Sequence, residues 1–188
     1  MNADKLVVGL AGMPGSGKSF VVKTAEEEGY AVVAMGDVVR EETAGKGLEL
    51  NPTNVGKVML QLRATGGESA VAEKCIPRIE QKENSKVMVD GLRSYAEAET
   101  FKKHFPKFVL VAVHASPEIR FSRLSSRGRS DDPKTWAVFH ERDMRELSVG
   151  LGKAIALAEY LIINDYSVDT LTKRAREVLR RAEEKWTK

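Results

Sequence analysis

The chain has 188 residues, 42% hydrophobic and 30% charged, with 30 Lys and Arg against 27 Asp and Glu for a net charge of +3. That is one domain's worth of chain, too apolar for a disordered protein and too mixed for a fibrous one, and a balance so close to neutral makes no electrostatic demand for nucleic acid or an anionic membrane. One cysteine, Cys75, excludes an internal disulfide and a Cys-cluster zinc site, and no uncharged run approaches the about 20 residues of a membrane span, so a soluble, untargeted, cytoplasmic protein is expected.

Leu6 to Leu10 is the first of five short, nearly continuous apolar runs, which is how strands buried on both faces of a parallel sheet read. It runs directly into Gly12-Met13-Pro14-Gly15-Ser16-Gly17-Lys18-Ser19, which meets the pattern G-x-x-x-x-G-K-[ST] at every fixed position. Glycines there let backbone N–H groups turn inward onto phosphate oxygens, and the helix predicted over Lys18 to Glu28 adds the partial positive charge of its N-terminus. Lys18 is expected to reach the β and γ phosphates of ATP and the Ser19 hydroxyl to ligate Mg²⁺. The dinucleotide fingerprint G-x-G-x-x-G does not fit this glycine spacing.

A second strand, Ala31 to Ala34, leads to Met35-Gly36-Asp37-Val38-Val39-Arg40. From about Gly36 to Ser85 no strand pattern appears, and turn clusters at Gly45 to Pro52 and Thr65 to Gly67 divide it, so residues 36–85 are read as a helical insertion at the functional edge of the sheet. The third run, Lys86 to Val89, ends in Asp90-Gly91-Leu92-Arg93. An Asp at a strand's carboxyl end falls beside the phosphate loop, where it can hold Mg²⁺ through water; the plainer alternative is a cap for the next helix. Arg40 and Arg93 are expected to point from loops into one cleft and to grip a second phosphate.

A helix over Tyr95 to His104, a strand over Phe108 to Val113, a strand over Tyr160 to Ile163 and a helix over Val168 to Lys185 complete the alternation; Ser167 is the predicted N-cap of the last helix. Residues 116–150 are loaded with arginine. Arg120, Arg123 and Arg127 share a helix face, followed by Arg129, Asp131, Asp132, Arg142 and Arg145. Either this is a solvated basic stripe, or a lid that closes over the transferring phosphoryl group, with Arg123 and Arg129 as its catalytic cations. His104, His114 and His140 show no metal spacing; His114 is read as a capping or core residue, and Cys75 as structural.

These motifs resemble the nucleoside monophosphate kinase family, typified by adenylate kinase, over nearly the whole chain. The chain is closer still to a mostly archaeal group of P-loop nucleotide kinase-like proteins. The resemblance implies an α/β P-loop NTPase three-layer sandwich with a five-stranded parallel sheet, a helical acceptor-binding insertion and an arginine-rich lid. It implies a single domain whose core is 1–35, 86–115 and 151–188, with the acceptor-binding insertion at 36–85 and the lid at 116–150. Asp90 and Ser19 would hold Mg²⁺, Asp37, Arg40 and Arg93 the acceptor, and the partner would be a small nucleotide-like molecule, with a monomer or homodimer and no nucleic acid.

The glutamine that reads the acceptor adenine in that family aligns with Glu97, and an ionised carboxylate cannot donate the amide's hydrogen bonds, which counts against AMP. A dephospho-coenzyme A kinase-like transfer to a hydroxyl, with Asp37 as base, is the related alternative. An ATPase or NTPase regulator is the other; no Asn/Thr-Lys-x-Asp guanine motif is present, since Thr172-Lys173-Arg174 lacks the Asp.

Overall fold

In the computed structural model, which describes residues 4–129 and 132–186, β1 (Leu6–Ala11) is buried along its whole length, as an unbroken apolar run requires. It lies at the middle of a five-stranded sheet in the order β2 (Ala31–Ala34), β3 (Lys86–Leu92), β1, β4 (Phe108–His114), β5 (Tyr160–Ile163). Every neighbouring pair is parallel, so each connection must cross the sheet, and helices supply the crossovers.

On one face pack α1 (Lys18–Glu27) and α9 (Val168–Glu184), closing a core of Leu10, Val21, Met88, Val111, Leu171 and Leu179. Ser167 caps α9 as expected, its Oγ accepting the Thr170 N–H at 3.3 Å. On the other face lie α2 (Met35–Gly45), α3 (Pro52–Gly66), α4 (Ala70–Glu80), α5 (Tyr95–His104) and α8 (Leu151–Ala156), over a core that includes Val87, Val89, Phe101, Phe105 and Leu110. Cys75 is fully buried in that core, and burial pushes its thiol up to about 12, so it is inert packing. Between β4 and α8 run α6 (Pro117–Arg127) and α7 (Trp136–Ser148).

Two features of the sheet position the site. β1 pairs directly with β3, so the loop after β1 and the motif at the end of β3 emerge side by side. The register slips where Leu10 pairs with Asp90 but Ala11 pairs with Leu92, leaving Gly91 as the extra residue at φ 97. Such a bulge turns its flanking side chains out of the regular pleat, and only glycine adopts that φ without strain.

Candidate active site

Gly17 is the N-cap of α1 at φ 101; no side chain caps the helix and no acidic residue sits in its first turn. The first N–H groups of α1 and the positive end of its dipole are therefore left for an anion. Asn164, just past β5, holds the loop in this shape: its Nδ2 donates to the Ser16 carbonyl at 2.7 Å, and its backbone N–H donates to the His114 carbonyl at 2.7 Å. A Cβ at Gly17 would stand 2.2 Å from Asn164 Nδ2, so position 17 needs glycine for its φ and for this contact alike. Nothing in a lone Asn after a strand marks this role in sequence; it becomes visible only when β5 is seen to end against the loop.

Inside the loop, Lys18 Nζ donates to the Gly12 carbonyl at 2.5 Å and faces the Met13 carbonyl at 3.4 Å. Burial, and after it the Arg93 and Arg120 guanidiniums, lower the Lys18 pKa to about 8, while Asp90 and Glu146 pull it back up. Above about pH 8 the empty protein holds Lys18 neutral, and a polyphosphate that needs the ammonium must bring in a proton. Its affinity is expected to fall about tenfold per pH unit above that point and to be level in this respect below it. Calorimetric titration of ADP at pH 7 and pH 9 in buffers of different ionisation enthalpy checks this. Proton uptake approaching one at pH 9 is expected, and none from this group in Lys18→Ala.

Asp90 stands beside Lys18. Its Oδ1 is buried with no hydrogen-bond partner, and burial raises its pKa although Lys18 and Arg93 oppose the shift. The helix-capping alternative fails, because Ser94 and Glu97 form the capping box of α5. An unpartnered carboxylate oxygen and the exposed Ser19 hydroxyl in the first turn of α1 are hard oxygen donors. They fit Mg²⁺, which takes few protein ligands and completes its shell with phosphate and water oxygens. Among the described residues no cluster of three or more His, Cys, Asp or Glu offers a separate metal cage.

Arg93 lines the same cleft as Gly12, Pro14 and Lys18, and its Nη1 donates to Glu146 Oε2 on α7. Arg40 is placed otherwise than the sequence led us to expect. It lies on α2 rather than on a loop, exposed, with its Nη2 donating to Asp37 Oδ1, and it is not among the residues lining that cleft. Glu97 is spent as well: fully buried, it accepts from the Arg93 and Ser94 N–H groups at 2.7 and 3.1 Å and from Arg63 Nη2 at 2.6 Å. That last bond ties α3 to the Asp90–Arg93 motif. Next to the cleft lies a larger cavity of about 440 Å³, lined among others by Arg63, Ser94, Tyr95, Gly150 and Lys153.

The arginine run is largely engaged with protein groups. Arg120 is a buried strut: Nε donates to Ala115 O (3.2 Å), Nη1 to Pro14 O (3.2 Å), and both Nη groups to the Asp143 carboxylate (2.9 and 2.5 Å). Its guanidinium also lies 4.9 Å from the centroid of the Phe139 ring. Arg123 Nη2 donates to Asn164 O at 2.9 Å, and Nη1 reaches Gly15 O at 3.4 Å. Arg127 pairs with Asp132, whose Oδ2 also accepts the Arg129 N–H at 2.9 Å; Asp131 lies outside the described residues. His114 has an exposed side chain, so the core role expected for it is corrected; only its backbone serves the site.

A parallel three-layer α/β sheet with a phosphate loop after its central strand defines a P-loop protein of the kinase fold. Solved structures with this fold include shikimate kinase from Bacteroides thetaiotaomicron (TM-score 0.65, 15% identity, covering 93% of this chain and 98% of that one). Another is a gluconokinase from Sinorhizobium meliloti 1021 (TM-score 0.59, 17% identity, 98% and 97% covered). The family model for the AAA domain matches residues 11–140. The chain belongs to that family and, with it, to the UPF0200 proteins of archaea. It is 46% identical over 178 residues to the UPF0200 protein of Thermococcus onnurineus, covering 93% of this chain and 96% of the relative. To that of Methanocaldococcus jannaschii it is 45% identical over 176 residues, 93% and 89% covered. Among the described residues no helix is long and apolar enough to cross a membrane.

Proposed function

We propose that the protein is an ATP-dependent phosphotransferase that moves the γ-phosphate to a small phosphate-bearing acceptor, a nucleotide in the first instance. The observation that carries this reading is that Lys18 and Arg93 line one cleft beside the uncapped N-terminus of α1, with the buried Asp90 carboxylate close enough to act on both charges. Backbone N–H groups of Gly12 to Ser19 and the Lys18 ammonium hold the donor's phosphates; Ser19 and Asp90 hold Mg²⁺, which when bound neutralises phosphate charge. Arg93 receives the acceptor, whose body has room in the cavity of about 440 Å³ lined by the neighbouring Ser94 and Tyr95. Arg123, whose Nη1 reaches the Gly15 carbonyl at 3.4 Å, and Arg129 supply cations for charge that develops during transfer. A phosphate oxygen is already anionic, so positioning and neutralisation suffice and no base is required.

The exposed Asp37 carboxylate at the head of α2 favours a second reading, transfer to a hydroxyl with Asp37 as base. Asp37→Asn separates the two. Near-normal turnover is expected for a phosphate acceptor, whereas a fall of about 10² or more in turnover with little change in acceptor binding selects the hydroxyl. The test of the reading as a whole is ATP consumption against nucleoside monophosphates, dephospho-coenzyme A and sugar or vitamin alcohols, read as phosphorylated product. ADP and free phosphate alone across the panel would overturn it in favour of a hydrolase.

A further inference from the structure

Glu146 is a carboxylate in a cleft built for phosphate. It sits near the end of α7, its side chain only 13% exposed, and lines the small space shared by Gly12, Pro14, Lys18 and Arg93. Its Oε2 accepts from Arg93 Nη1, and it is close enough to Lys18 to raise that ammonium's proton affinity. Asp143, one helical turn earlier, is bound by Arg120, which also holds the Pro14 carbonyl. The same face of α7 is thereby pinned to the phosphate loop, and the position of Glu146 follows from that anchor. With Glu146 in place the cleft has a volume of about 50 Å³ and opens to solvent. The charged side chains that line it are Lys18 and Arg93 against Glu146.

We propose that Glu146 gates the acceptor position: it is the resting occupant of the anion position at Arg93, and an acceptor anion binds only at the cost of displacing it. This rests on the reading of Arg93 as a ligand of the acceptor phosphate. A phosphate monoester is close to a dianion at neutral pH and offers three oxygens to a guanidinium fork, so it outcompetes a single carboxylate. A sulfate ester, with the same shape and one charge, does so poorly, and a neutral alcohol does not do so at all. The rotation that frees Arg93 belongs to the Glu146 side chain, since α7 itself is held by Asp143.

Phenyl phosphate and phenyl sulfate are the probes, titrated calorimetrically onto the full chain with the phosphate loop saturated by Mg-ADP. The wild type is expected to prefer the phosphate by at least tenfold. Glu146→Gln keeps the side chain's shape and removes its charge; both probes should then bind about tenfold tighter, since each is freed of the same displacement cost. Adding Arg93→Ala to that variant should abolish the gain. Glu146→Asp, which draws the carboxylate back from Arg93, should fall between, and it carries the test if the glutamine variant does not fold. Unchanged or weaker binding of both probes in Glu146→Gln, or a gain that survives loss of Arg93, overturns the proposal. No turnover is needed, so a negative product screen would dispose of the phosphotransferase reading without deciding this one.

Discussion

Lys18→Ala is expected to lower nucleotide turnover by about 10³-fold while leaving the melting temperature unchanged or slightly raised. The rate effect follows from removing a preorganised cation from a partly desolvated site, where single donors contribute about 10² to 10³. Stability behaves differently because, among the described residues, Lys18 makes no ion pair and its ammonium donates to the Gly12 and Met13 carbonyls. Its pKa of about 8 lies below that of a free lysine, which means that at neutral pH the fold works against its charge. Steady-state rates with product detection and a thermal melt on one preparation check both parts. Wild-type turnover in the variant would disprove the role given to the loop.

Arg120→Ala is expected to cost about 3–5 kcal/mol, the largest stability effect of any single change at the site, because it strands the Asp143 carboxylate in a buried position. For a chain of this size that is a fall in melting temperature of roughly 10 °C. Replacing the pair together, Arg120→Met with Asp143→Leu, should recover most of the loss, since two apolar groups need no compensation. Affinity for ATP should stay about tenfold weaker in the double variant, because Pro14 keeps no donor for its carbonyl. Melting curves and ATP titrations of the three forms decide the matter. A single variant as stable as the wild type would sink the strut assignment.

The effect expected of Arg120 also shows where a linear reading misleads. Three arginines at one helix face read as a solvated stripe or, beside a phosphate loop, more readily as a lid, and Arg120 is neither. What decides its state is Asp143, which is 23 residues away and arrives from a different helix. Glu97 is a similar case: alignment put it at the position of the family's acceptor-reading glutamine, but a Ser three residues before it in the sequence makes a capping box, and the box uses one of its oxygens while Arg63 uses the other. Arg40 fell outside the cleft because Asp37, three residues earlier, becomes its neighbour once Met35 to Gly45 is helical. Glu146 and Asn164 left no local signal at all.

The strands were legible because a strand covered on both faces is apolar at nearly every position, as β1 and β4 are, and because the shorter apolar runs of the edge strands β2 and β5 are likewise set off by helical lengths. The phosphate loop was legible because its glycines are demanded by backbone geometry within eight consecutive residues. Both properties are local, so the amino-acid order by itself determined the parallel α/β class and the phosphate loop; Asp90, expected just past a strand ending at Val89, lies within β3, which runs on to Leu92. Which charges meet at the cleft is a different kind of fact. Long charged side chains are compatible with water wherever they fall in the chain, so their partners are chosen only when α3, α5, α6 and α7 come together, and it was that packing which paired Arg93 with Glu146, buried Arg120 on Asp143 and turned Glu97 inward.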